Sequence, residues 1–200
     1  MVTALDTDVS TFINGEIAKS RAGLDALESP EYLQILADIA GKAVESLRAG
    51  GKIIFCGNGG SAADSQHLAA ELVGRQNYDR APAAGIALTV DSSALTAIGN
   101  DYGYEQVFAR QVQALGNAGD VLIGISTSGR SLNVVRAIEA AKAKGITTVS
   151  FTGHDSRDMG IADIRLCVPA SETAKIQELH ITCGHIVFAL VERILFPREP

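Results

Sequence analysis

The sequence predicts an α/β fold: a doubly wound, five-stranded parallel sheet flanked by helices, with two N-terminal helices ahead of it. Three observations carry this expectation. From Lys52 onward, short apolar runs alternate with helix-like segments, the rhythm of strand–helix–strand units. The runs, such as Lys52-Ile53-Ile54-Phe55-Cys56 and Val121-Leu122-Ile123-Gly124-Ile125, are nearly continuous in apolar residues, which suits strands covered on both faces. Two of them lead directly into polar loops that open helices, Gly57-Asn58-Gly59-Gly60-Ser61 and Ser126-Thr127-Ser128-Gly129-Arg130-Ser131. In a parallel sheet joined by right-handed crossovers, both loops fall at the carboxyl edge, where ligands bind.

The elements follow in order. From Asp8 to Leu27, apolar Val9, Phe12, Ile13, Ile17, Leu24 and Leu27 recur at helical spacing. Ser29-Pro30 breaks this run, and Pro30 suits the first turn of a second helix carrying Leu33, Leu36, Ile39, Ala40, Val44 and Leu47, which ends at Gly50-Gly51. Neither helix buries its stripe alone, so each must pack on the later residues, on the other, or on another subunit. Strands are expected near 52–56, 85–90, 120–125, 146–152 and 164–168. Helices are expected near 61–75, 92–99, 104–115 and 131–144, with a short piece around 156–161 and a final helix over 172–195. The 200 residues suit one domain, a helical arm over about 8–50 and an α/β core over about 51–197.

Composition narrows the function. Hydrophobic content of 46% and charged content of 20% are those of a globular chain, and a net charge of −6 argues against a broad nucleic-acid footprint. No apolar stretch reaches the roughly 18 residues of a membrane span. Met1 to Ser10 contain no basic region followed by an apolar segment, so no signal peptide and a cytoplasmic location are expected. Cys56, Cys167 and Cys183 sit singly in apolar runs without a CxxC pattern, and read as buried reduced thiols.

The first loop permits positive φ and close approach of a ligand to the chain, with Ser61 as a helix cap and Asp64 completing a capping-box-like pattern. A helix start of this kind favours an anion, but a plain glycine turn with a serine cap is the competing reading. Neither a Rossmann G-x-G-x-x-G nor a Walker ending is present. The second loop is more telling. Ser126, Thr127, Ser128 and Ser131 place four hydroxyls within six residues around Gly129, whereas ordinary capping needs one. Hydroxyls and amide N–H groups together suit a phosphate monoester.

His67 and Glu71, four apart, share a helix face, and could ligate a metal, act as acid and base, or form a surface pair. The last helix adds Gln177, Glu178, His180 and His185. Histidine and glutamate are ordinary zinc ligands and glutamine is not. His180 and His185 both also read as core histidines, and the residue pattern does not separate them. Gln177 and His185 lie about 12 Å apart along an ideal helix. Both would meet one ion only by reaching toward a point between them, through a late helix start, or with one ligand from a neighbouring subunit.

Taken together, the strand–GNGGS–helix unit, the ISTSGRS unit and the closing KIQELH…GH segment resemble the sugar isomerase (SIS) domain family, and within it the phosphoheptose isomerases. The resemblance covers almost the whole chain. It implies a homotetramer with active sites between subunits, one Zn2+ per site, and His67, Glu71, Gln177 and His185 as its ligands. It also implies substrate contacts at Asn58, Gly59, Gly60, Ser61, Glu71, Asn100, Asp101 and Gln177, with Ser126, Thr127, Ser128 and Ser131 holding the phosphate. The first loop then grips the sugar end rather than the phosphate. Glu71 and His185 become the acid/base pair that converts sedoheptulose 7-phosphate to D-glycero-D-manno-heptose 7-phosphate through an enediol, for lipopolysaccharide core or nucleotide-activated heptose. Arg130 stands where relatives often have Asn. Two other expectations stand beside this one. Gln113-Ala114-Leu115-Gly116 and Leu195-Phe196-Pro197 also resemble non-enzymatic SIS tetramers that bind the replication initiator, but those tend to lack the residues matching Glu71 and His185. An isomerase of another sugar phosphate, such as a pentose, would share fold and cradle.

Overall fold

A computed structural model describes residues 7–198. The expectation for Met1 to Ser10 falls largely outside them. Helices α1 (Thr7–Ala26) and α2 (Pro30–Arg48) lead into β1 (Ile53–Gly57), α3 (Gly60–Val73), β2 (Gly85–Ala87), α4 (Ser92–Tyr102) and α5 (Ala109–Leu115). Then follow β3 (Val121–Ile125), α6 (Leu132–Ala143), β4 (Thr147–Thr152), β5 (Ile164–Cys167) and α7 (Thr173–Leu195). Short 3-10 turns span Tyr104–Gln106 and Arg157–Ile161. The five strands are all parallel, in the order β2-β1-β3-β4-β5. The order reverses between β1 and β3, which makes that the switch point where open α/β sheets bind ligands. Gly57 pairs with Ile125, so both strands end level and release their loops side by side.

Successive strand residues point to opposite faces. Ile53, Phe55, Ile123, Ile125, Val149 and Phe151 pack against α2, α3 and α7, while Ile54, Cys56 and Leu122 pack against α5 and α6. Phe55 meets Phe188 of α7 edge to face with ring centres 5.4 Å apart, a contact worth about 1 kcal/mol beyond its buried area. Such packing on both sides is why the strand sequences are apolar throughout. Burial pushes the Cys56 and Cys183 thiols up to about 12, so both stay protonated.

The departures from the sequence expectations are local. β2 ends at Ala87 rather than 90, because the chain turns there, although Leu88 still donates its N–H to Phe55. The helix expected over 104–115 is a 3-10 turn followed by α5, and the one over 92–99 runs on to Tyr102. Ser61 does not cap α3. Gly59 does, at φ 56°, and Ser61 lies buried in the first turn with no capping bond from its side chain. Glycine is required there because that φ is costly for any residue with a Cβ. Helix α2 buries Leu36, Ile39 and Val44, but α1 leaves Val9, Phe12, Ile13, Ile17 and Leu24 exposed. Among the described residues, no helix is long and apolar enough to cross a membrane.

Candidate active site

Beside β1 and β3, the two loops lie together at the switch point. In the second, Ser126 Oγ lies 2.8 Å from Ser131 Oγ and 3.4 Å from Ser128 Oγ, and the Arg130 amide donates to Ser128 Oγ at 3.3 Å. Ser131 occupies the N-cap of α6, yet its hydroxyl makes no capping bond and turns to Ser126 instead. Capping therefore does not account for these hydroxyls. Gly129 has φ 65°, and a Cβ there would meet the Ser156 carbonyl at 2.7 Å, so the loop's shape depends on glycine. Thr127 is anchored from behind, its carbonyl accepting the Gly153 N–H at 3.2 Å.

In the first loop, a Cβ at Gly57 would strike the Ser61 carbonyl and one at Gly60 would strike the Gln177 amide. Both glycines thus hold the start of α3 tightly against the strand and α7. The Asn58 side chain bonds Asn133 and receives the Tyr104 hydroxyl at 3.2 Å. Asn100 and Asp101 sit exposed at the end of α4, where the Asn100 amide donates to the Asp101 carboxylate at 2.8 Å.

Helices α3 and α7 run side by side, Gly60 against Gln177 at one end and Leu68 against Gly184 further along. The register brings His67, Glu71 and His185 together. His67 Nε2 and His185 Nε2 are 2.9 Å apart, and Glu71 Oε1 lies 3.4 and 3.5 Å from them. Bonds of about 2.1 Å to a tetrahedral ion set donor atoms about 3.4 Å apart, close to this triangle. Glu71 Oε2 is buried without a hydrogen-bond partner. Two imidazole nitrogens facing each other, beside a carboxylate with an orphaned oxygen, fit a divalent cation of the zinc type. Gln177 does not join this group within the chain. It lies against Gly60, about 10 Å along α3 from His67. Three of the four expected ligands thus come together.

The choice between the two histidines of α7 is made by burial. His180 is 1% exposed, its Nε2 lies 3.0 Å from the Thr152 carbonyl, and burial lowers its pKa to about 4. It is a neutral core histidine, while His185 reaches the cluster.

Several residues beside the cluster were not singled out from the sequence as functional. Asp64 precedes His67 by one turn, and burial raises its carboxyl against the opposing pull of His67 and His185. Its i,i+3 spacing to His67 was the available signal, but the pattern also reads as a cap. Arg80 donates to the carbonyls of Glu71 at 2.7 Å and Leu72 at 2.8 Å, closing the C-terminus of α3 where a cation is favoured. Glu192 of α7 accepts from Arg80 Nε, the backbone of Gln76 and Asn77, and the Asn77 amide at 3.0–3.1 Å. Gln76 in turn donates to the His185 carbonyl at 2.9 Å. This network positions Glu71 and His185 relative to each other.

The chain matches the SIS domain family over residues 17–153. It is 52% identical to the phosphoheptose isomerase of Maridesulfovibrio salexigens over 189 residues, 93% of this chain and 92% of that one. It is 50% identical to that of Burkholderia pseudomallei over 191 residues, 94% and 97% of the two chains. The fold is similar to the solved phosphoheptose isomerase of Neisseria gonorrhoeae, with TM-score 0.84 and 42% identity over 91% of this chain and 98% of that one. The enzyme from Francisella tularensis gives 0.81 and 34%, over 96% and 100%. With a hydroxyl cradle at the carboxyl edge of the sheet, a His/Glu cluster where α3 packs on α7, and similarity of this extent, the chain belongs to the SIS-domain family and, within it, to the phosphoheptose isomerases.

Proposed function

We propose that this chain is a zinc-dependent isomerase that converts sedoheptulose 7-phosphate to D-glycero-D-manno-heptose 7-phosphate, for heptose biosynthesis. The observation that carries this reading is the meeting of His67, Glu71 and His185, in a chain that also carries a hydroxyl cradle and is about half identical to phosphoheptose isomerases over nearly its full length. The alternative of a non-enzymatic initiator-binding tetramer is not favoured, since Glu71 and His185 are present and adjacent. A pentose substrate would use the same cradle, and the relatives' names favour a heptose.

The reaction moves one proton from C1 to C2 and one from O1 to O2, so its atoms balance without a redox partner. Ser126, Thr127, Ser128 and Ser131 hold the phosphate, and that remote binding orients the reacting end. Glu71 takes the C1 proton and returns it to C2, while His185 gives a proton to O2 and recovers one from O1. Glu71 is suited to a double role because Oε1 faces the histidines while Oε2 has no partner, so one oxygen can ligate while the other carries the proton. His67, Glu71 and His185 would hold the zinc, which when bound supplies positive charge to the enediolate oxygens. Asn58, Gly59, Gly60 and Ser61 line the sugar end, and Asn100 and Asp101 are assigned there by resemblance alone.

The same reading includes a homotetramer. The apolar stripe of α1 supports it, because nothing within the described chain covers Phe12 or Ile17. Since Gln177 lies away from the three clustered groups, Gln177 of the partner subunit is the natural fourth ligand, which would make the site depend on assembly. The test is Glu71→Gln with zinc content measured alongside conversion of sedoheptulose 7-phosphate. Loss of about 100-fold or more in kcat at full metal occupancy is expected for a base. Undiminished turnover in the metal-loaded variant rules out Glu71 in that role.

A further inference from the structure

One pair of side chains joins the two loops at the switch point. Asn58 Nδ2 donates to Asn133 Oδ1 at 2.9 Å, and Asn133 Nδ2 donates back to Asn58 Oδ1 at 2.8 Å. Asn133 is buried in the first turn of α6, two residues beyond Ser131. The exchange fixes both amides, because turning either one over would set oxygen against oxygen and N–H against N–H. The Tyr104 hydroxyl donates to the same Asn58 oxygen at 3.2 Å, so both lone pairs of that oxygen are engaged. One N–H of the Asn58 amide is engaged as well. The other has no partner among the described residues.

We propose that Asn133 is a positioning residue that sets the distance between the phosphate cradle and the sugar end of the site, and that selects the substrate's chain length by doing so. This rests on the isomerase reading above. An acyclic sugar phosphate spans the two loops, with its phosphate on Ser126 to Ser131 and its sugar chain along the β1–α3 loop. The phosphate anchor alone does not discriminate length, since every sugar phosphate carries it. Discrimination requires the second loop to be held at a fixed distance, and the amide pair is the side-chain link that holds it. The pair also leaves the free N–H of Asn58 as a donor of fixed orientation for a sugar hydroxyl. A misplacement of about 1 Å between reacting groups is enough to cost about 100-fold in rate.

The experiment compares wild type with Asn133→Ala and Asn133→Ser, the serine variant leaving a polar group in the vacated space in case the alanine variant folds poorly. Four quantities are read: kcat and KM for sedoheptulose 7-phosphate, the same for a five-carbon ketose phosphate, the inhibition constant of inorganic phosphate, and zinc content. The expected result is a fall of about tenfold or more in kcat for the seven-carbon substrate and a narrowed preference over the five-carbon one, while phosphate inhibition and zinc content stay within about twofold. An unchanged kcat and preference in either folded variant overturns the proposal. So does a parallel loss of phosphate affinity and turnover, which is what general damage to the fold produces. A wild-type chain that turns over no ketose phosphate would instead overturn the isomerase reading, and the positioning role with it.

Discussion

Arg80 and Glu192 meet with Nε and Oε1 3.0 Å apart, their side chains 4% and 1% exposed, and so join the end of the helix bearing His67 and Glu71 to the helix bearing His185. The guanidinium also donates through Nη1 to the carbonyls of Leu72, Gly74 and Ala81 and through Nη2 to that of Glu71. Removing one partner leaves the other buried without its counter-charge. Arg80→Ala is therefore expected to cost about 3–5 kcal/mol, measured by urea unfolding. Arg80→Lys is expected to recover only part, because an ammonium cannot match the planar fork that reaches both a carboxylate and the helix carbonyls.

Acid should weaken the fold through two groups of α7. Burial of His180 lowers its pKa to about 4 from an ordinary 6.5, so the unfolded chain binds a proton in that window and the folded chain does not. Its contribution is complete above pH 6.5 and is lost as pH falls toward 4, by about 3 kcal/mol at most. Burial works against the Glu192 carboxylate, but hydrogen bonds from Gln76, Asn77 and Arg80 outweigh it and hold its pKa below the usual range. Its contribution is lost at still lower pH, as the solution passes through that depressed value. Unfolding melts across pH 4–7 should show the first loss, and His180→Phe should flatten it.

Chelation should abolish turnover, and added zinc should restore it. His67→Ala and His185→Ala should each lower zinc affinity, read by titration with a metal indicator, whereas His180→Gln should leave it unchanged. The contrast follows from the positions of the rings: two imidazole nitrogens 2.9 Å apart in the cluster, and a third histidine enclosed against Thr152.

The serine cradle should act mainly on binding. Ser131→Ala removes the hydroxyl bonded to Ser126 without touching a helix cap. KM should rise by about tenfold with a smaller change in kcat, as for a group that holds ground state and transition state alike.

The stripe on α1 gives a prediction about assembly. Phe12 is 69% exposed and Ile17 52%. Phe12→Glu with Ile17→Glu should lower the oligomeric mass measured by light scattering. If Gln177 of the partner subunit completes the metal site, zinc binding should weaken in the same protein.

Much of this was readable in the residues themselves. Strand and helix periods are local properties, so the parallel sheet, the two N-terminal helices and the switch-point loops followed from apolar runs and their punctuation. The cradle was legible for the same reason, since Ser126 to Ser131 form one continuous turn. His67 and Glu71 share a helix face by spacing alone. Errors arose where two local rules competed, as at Ser61, a good cap by composition that lost the position to Gly59 because the turn needs positive φ.

Relationships across the chain were decided only by tertiary structure. Pairing of His185 rather than His180 with His67 depends on the register of α7 against α3, which is set by Leu68 packing on Gly184 and by Gly60 on Gln177. Asn133 reaches Asn58 because β1 and β3 are neighbours and end level, although 75 residues separate the two in sequence. Arg80 and Glu192 carry no motif and are 112 residues apart. The sequence by itself determined which elements form and what chemistry each could offer, because backbone preference and hydrophobic period act over a few residues. Which of those groups meet was settled by sheet order and helix packing, which act through space.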